Sequence, residues 1–342
     1  MCGIAIQSAV SMGIHLRTEN SSITHVSKET RYRLWWALYL LDTLLSVMTG
    51  RIPRMQREHC ATPLPVPYNE ESFWEKHVMM VIQDNQARAN LMSSLLSYNS
   101  SNELNERLRH SASQQATPQQ SSSSPSQQLQ AHFSPYLLYS IDLAAVMREA
   151  VEILYTPGAA RKSGNEIEQA MKSLNNTADN WFARLSATYR FTETEADRFL
   201  SRQRTSLAFQ YYSTKLVITQ PALRSHAWGE ERSNAIYDQM ATICINAAAQ
   251  MVDLLPDDPS ITWLLGYSPW WCALHYLTQS MTVLITHLLI ESKLRANHST
   301  KPLERVQKAL RWLTECSTSD LSFKRALDNF TDLLSTQGLN VV

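Results

Sequence analysis

Apolar residues recur along this chain every three or four positions, and no stretch keeps the two-residue alternation of a strand. The pattern predicts helices over 1–15, 29–48, 70–97, 134–154, 165–187, 193–219, 233–255, 269–297, 302–317 and 319–335. The first begins at Met1 without a capping residue, and Ile6, Val10 and Ile14 share one face. Ser27 or Thr30 is expected to cap the second, and Gly50 to end it. A loop carrying Pro53, Pro63, Pro65 and Pro67 follows. Later prolines, at 157, 221, 256, 259, 269 and 302, are expected at or near helix ends, where the missing N–H costs least. Residues 99–133 are Ser/Gln-rich with almost no apolar content, so burial cannot offset their ordering entropy. The fold class is therefore all-α, a multi-helix bundle forming one large domain over 1–342 with a disordered insert at 99–133.

The second helix sets a puzzle. Its sequence, RYRLWWALYLLDTLLSVMTG, is apolar nearly all round yet holds one acid, Asp42. Leu34, Leu38, Leu41, Leu45 and Met48 make one stripe, and Trp36, Leu40 and Val47 another. Asp42 falls on a third, with Trp35, Tyr39 and Ser46. An unpaired buried carboxylate is costly, so Asp42 either meets a cation from another element or faces solvent. Arg202 or Arg204 in the helix SRQRTSLAFQYYSTKL is the first candidate, and the pair is expected to fix helix register.

Composition narrows the function. The chain has 342 residues, 44% hydrophobic, with 31 Lys+Arg against 31 Asp+Glu. Phosphate neutralisation dominates nucleic-acid affinity, so a chain with no basic excess is a poor DNA binder by itself. The five cysteines, at 2, 60, 244, 272 and 316, form no C-x-x-C pair, so no metal or other cofactor is expected, and they suit reduced thiols in the cytosol or nucleus. The start carries no basic stretch of a secretory signal. Residues 260–290 have no formal charge, but Pro269, His275, Gln279 and His287 interrupt them, so they read as a buried helix and not a membrane span.

Cys272 and His275 lie three apart on one helix and read as a core thiol and a hydrogen-bonded imidazole. Trp270, Trp271, His275 and Tyr211 form a candidate small-molecule pocket, since aromatic walls suit such ligands. Arg51, Arg54, Arg57 and His59 make a local basic patch in the proline-bearing loop. No phosphate-loop, nucleophile-elbow or zinc-protease pattern occurs, so no catalytic residue is assigned and an enzyme is not expected.

Residues 31–51 carry a fingerprint in Arg31, Arg33, Leu34, Trp35, Trp36, Leu38, Tyr39, Leu41 and Asp42, then Gly50 and Arg51. This resembles the fungal-specific transcription factor domain, the helical middle region of binuclear zinc-cluster regulators. Gly13-Ile14-His15, Cys60 with Pro63-Leu64-Pro65, and the segments 201–223, 244–248, 269–285 and 309–313 resemble further parts of that domain. Ile52 interrupts its usual Gly-Arg-Pro, Gln220 stands where Arg is common, and Thr43 where a basic residue is common. The family's six-cysteine zinc module has no counterpart here, so the domain is expected to be partial at its N-terminus.

The resemblance implies a nuclear transcription regulator, working as a homodimer or with other regulators and answering to a small-molecule effector. DNA contact would then come through a missing segment or a partner chain. The alternative is a stand-alone helical module that binds a small molecule or a protein and has no DNA role.

Overall fold

The computed structural model describes residues 1–18, 22–55, 60–96, 133–192, 198–228, 235–293 and 300–337. These form twelve α-helices and three short 3-10 turns, with no strand among the described residues, so the protein is all-α as expected. The helices are α1 (Cys2–Ser11), α2 (His25–Thr49), α3 (Lys76–Gln83), α4 (Asn85–Leu95), α5 (Phe133–Leu154), α6 (Gly164–Arg184), α7 (Arg198–Trp228), α8 (Ala235–Asp253), α9 (Ile261–Tyr267), α10 (Trp270–Lys293), α11 (Thr300–Ser317) and α12 (Leu321–Thr336). Residues 99–132 of the Ser/Gln-rich insert, Arg57 and His59 lie outside the described residues, while Phe133 already begins α5.

Local chemistry places the boundaries. Thr24, rather than Ser27 or Thr30, caps α2 by accepting from the Ser27 N–H. Gly50 ends that helix in the left-handed region at φ 62°, as expected. The first helix stops at Ser11 rather than near His15 because Gly13 turns the chain at φ 65°. The helix predicted over 70–97 is three elements: a 3-10 turn at Glu70–Trp74, then α3 and α4. Asp84 divides the last two, since its extended backbone breaks α3 while its carboxylate accepts from the Gln86 N–H at 2.8 Å. Ser260 nucleates the unpredicted α9, and Ser268 ends it in an extended conformation imposed by Pro269.

Pro221 corrects the expectation for proline placement, because it lies inside α7. A proline there supplies no N–H to the carbonyl four residues back, which is Val217. The Tyr155 hydroxyl donates to that carbonyl at 2.7 Å, so the helix continues with its freed acceptor satisfied.

The described chain divides into two compact units by its internal contacts. The first comprises Met1–Arg148 and Thr177–Glu195. Its core gathers Ile6, Ile14, Trp35, Trp36, Tyr39, Leu64, Met92, Leu138 and Ile141, with a smaller cluster of Val66, Phe73, Val78, Val81 and Ile82. The second comprises Glu149–Asn176 and Ala196–Val342. There α7 packs on α8, α10 lies against both, and α11 and α12 form a hairpin. Trp312 is fully buried and donates its indole N–H to the Pro256 carbonyl at 3.0 Å.

The stripes of α2 are buried to different depths. Tyr32, Trp35, Trp36, Tyr39, Asp42, Thr43 and Ser46 are buried. The leucine stripe is not: Leu34 is 47% exposed, and Leu38, Leu41, Leu45 and Met48 are only half-buried. The aromatic seam goes inward because its polar tips find partners there.

Candidate functional site

The buried seam of α2 grips an extended, proline-bearing segment. Trp36 donates its indole N–H to the Pro63 carbonyl at 2.8 Å, and Trp35 donates to the Cys60 sulfur at 2.9 Å. Arg33 donates to the Tyr68 carbonyl. Glu29, fully buried, accepts from the Val66 N–H at 2.5 Å and pairs with Arg88 at 2.8 Å. Arg88, on α4, also donates to the Leu64 carbonyl at 2.8 Å. Residues 62–67 are all buried in consequence. The same segment holds the end of α1, since Ala61 N–H meets the His15 carbonyl at 3.0 Å and the Thr62 hydroxyl meets that of Ile14 at 2.8 Å. Arg31 reaches the Met12 carbonyl at 3.0 Å. Three stretches far apart in sequence, 13–15, 29–42 and 60–68, therefore meet as one hydrogen-bonded clamp.

Asp42 is buried as its neighbours required, but its partners differ from those expected. Its Oδ2 accepts from the Arg54 and Met55 N–H groups, both at 2.9 Å. Its cation is Arg148 on α5, at 3.9 Å, with the guanidinium 5.0 Å over the Tyr39 ring. Arg202 and Arg204 belong to the second unit. Two main-chain donors stabilise the carboxylate, so the cation need not approach closely. Gly50 and Arg51 are exposed and turn the chain from α2 into this segment. The fingerprint residues thus build the first unit. Glu29 and Arg88, which complete the clamp, stand outside the fingerprint and 59 positions apart, so no local spacing points to them.

The residues of the candidate pocket lie in the second unit. Tyr211 on α7 is buried, with Tyr212 edge-on at 5.3 Å and the Lys215 ammonium 5.7 Å from its ring. On α10, Trp270 is 42% exposed and Trp271 half-buried. His275 has Tyr276 at 5.8 Å, and its Nε2 is buried with no hydrogen-bond partner among the described residues, contrary to the hydrogen-bonded histidine expected. Burial lowers its pKa to about 4, so the ring is neutral at physiological pH. Cys272 is a core thiol as expected; burial pushes Cys244 and Cys272 up to about 12 and Cys316 up to about 11. Two open clefts lie elsewhere, one of about 720 Å³ along α1 beside Arg54 and one of about 1010 Å³ between α11 and α12. Among the described residues no group of three or more His, Cys, Asp or Glu is placed to hold a metal. Among the described residues one helix, Trp270–Ser292, is long and apolar enough to cross a membrane by length and composition, and half of its apolar window is buried within the protein.

The model of the fungal specific transcription factor domain matches residues 1–183, which take in the whole clamp. The chain belongs to that family. Among curated members of wider similarity, the transcription regulator galc of Aspergillus niger is 29% identical over 91% of this chain and 40% of its own length. The thiamine repressible genes regulatory protein thi1 of Schizosaccharomyces pombe is 41% identical over 64 residues, 19% of this chain and 8% of its own. Transcription factor FBD3 of Gibberella moniliformis is 39% identical over 49 residues, 14% of this chain and 7% of its own. This fungal transcription factor domain chain therefore spans well under half the length of the relatives it matches. No solved structure matches it.

Proposed function

We propose that this chain is the regulatory body of a fungal transcription regulator. The observation that carries the reading is the clamp: the family fingerprint is spent on holding the chain's own main chain, and lies within a domain shared with named transcription regulators. Equal numbers of basic and acidic residues argue that promoter contact comes from another segment or a partner chain. The reading places the chain in the nucleus, assembled with a second copy or another regulator. Fusing it to an unrelated DNA-binding module tests this. The fusion is expected to change output from a matching reporter several-fold relative to the module alone. An unchanged reporter, from a fusion that accumulates and is folded, overturns the reading.

A small-molecule effector is the finer part of the proposal, and the buried, unpartnered His275 Nε2 favours it, because a ligand donor there would complete an otherwise unsatisfied group. A thermal-shift screen against metabolites tests it, with His275→Leu as control. The expected hit raises Tm in the parent and not in the variant. A flat response across a broad library removes this part.

A further inference from the structure

Three times in the first unit, an arginine lies over an aromatic ring that stands three residues from the carboxylate it meets. Arg88 sits 5.6 Å from the Tyr32 ring and 2.8 Å from Glu29. Arg33 sits 4.9 Å from the Phe73 ring and 3.6 Å from Glu70. Arg148 sits 5.0 Å from the Tyr39 ring and 3.9 Å from Asp42. A guanidinium suits such a pair because its flat face stacks on the ring while its N–H edge meets the carboxylate.

The Glu70–Phe73 pair lies on the 3-10 turn, where residues three apart eclipse. Glu71 and Trp74 are a fourth pair of the same spacing, on the same turn. This pair faces water: Trp74 is 77% exposed and Glu71 is exposed. Glu70 is engaged by Arg33, and Glu75 lies 3.5 Å from His77. Neither Glu71 nor Trp74 has a partner among the described residues.

We propose that the Glu71–Trp74 pair is a docking site for an arginine side chain presented by a partner protein. The chemistry selects the occupant. Residues 70–76 carry Glu70, Glu71 and Glu75 against one Lys76. Even with Glu70 engaged by Arg33 the stretch stays acidic, which disfavours the phosphates of a nucleic acid and draws in a cationic peptide. An ammonium can meet the carboxylate, but it cannot stack flat on the indole at the same time.

The test titrates the full chain, 15N-labelled, with an acetylated nine-residue peptide of alternating glycine and arginine, and with its lysine counterpart. The Trp74 indole cross-peak is assigned from Trp74→Phe. Both side chains are exposed, so Glu71→Gln and Trp74→Ala are expected to leave Tm unchanged. The arginine peptide is expected to move the Trp74 cross-peak. Each variant is expected to weaken binding about three- to fivefold, and the lysine peptide to bind about threefold more weakly than the arginine one. Absent binding, shifts confined to other residues, equal affinity in the variants, or a lysine peptide that binds as well, each overturns the proposal.

Discussion

Breaking the Glu29–Arg88 pair should cost far more than its single contact suggests. Glu29 is fully buried and Arg88 is 6% exposed. Removing one member of such a pair leaves an uncompensated buried charge, at about 3–5 kcal/mol. Main-chain groups are stranded as well. Glu29→Leu leaves the Val66 N–H without its acceptor, and Arg88→Leu leaves the Leu64 carbonyl without its donor. Each such group costs about 1–3 kcal/mol. The double variant keeps those two losses but carries no lone charge, so it should cost no more than either single. The coupling energy is then at least one single-variant loss, about 4 kcal/mol. Urea unfolding at pH 7 measures it, with far-UV circular dichroism and tryptophan fluorescence fitted separately because the chain has two compact units. Single-variant losses below about 1 kcal/mol, or a double variant equal to their sum, would refute the reasoning.

Tyr155→Phe should destabilise by about 1–2 kcal/mol by stranding the Val217 carbonyl, and by less in a Pro221→Ala background, where the restored N–H takes over; equal losses in both remove the argument. His275 is lowered from 6.5 to about 4 in the fold, so the unfolded chain binds more protons between those values and stability falls as pH drops through them. Tm measured against pH should therefore fall less steeply for His275→Leu than for the parent across that window, and parallel curves would contradict the buried, neutral ring. A thiol reagent at pH 8 should label no more than Cys2 and Cys60 in the native chain and all five cysteines in denaturant, since burial holds Cys244, Cys272 and Cys316 protonated; fast native labelling of a third thiol counts against it.

Periodicity made the helices legible because amphipathic spacing is a local signal. Gly50 and the fingerprint were legible for the same reason. The break at Asp84 was not, since an acid inside an apolar rhythm reads equally as a solvent-facing position or as a cap. Pro221 was misplaced because the hydroxyl that rescues its helix comes from Tyr155, 66 positions earlier in the chain. Which stripe of α2 lies deepest was not legible, because hydrophobicity ranks leucine with tryptophan. A tryptophan or tyrosine can bury its body and still place its polar tip on a main-chain partner, and that decided which stripe went inside. The partner of Asp42 was hidden too, because two of its three contacts are backbone N–H groups, which every residue but proline owns.

The make-up of the clamp follows from the segment it holds. Pro63, Pro65 and Pro67 have carbonyls but no N–H, and they bias Thr62, Leu64 and Val66 away from helix. Such a segment is rich in acceptors, poor in donors and unable to satisfy itself once buried. Side chains that only donate suit it, and here tryptophan and arginine close it. Trp36, Arg88 and Arg33 take the carbonyls of Pro63, Leu64 and Tyr68. Val66, which does own an N–H, meets the acceptor Glu29. Sliding the segment by one residue would set a proline, which has no N–H, against Glu29. The Arg- and Trp-rich fingerprint is thus the complement of a proline-rich main chain, and its buried charges fix register more than they add stability.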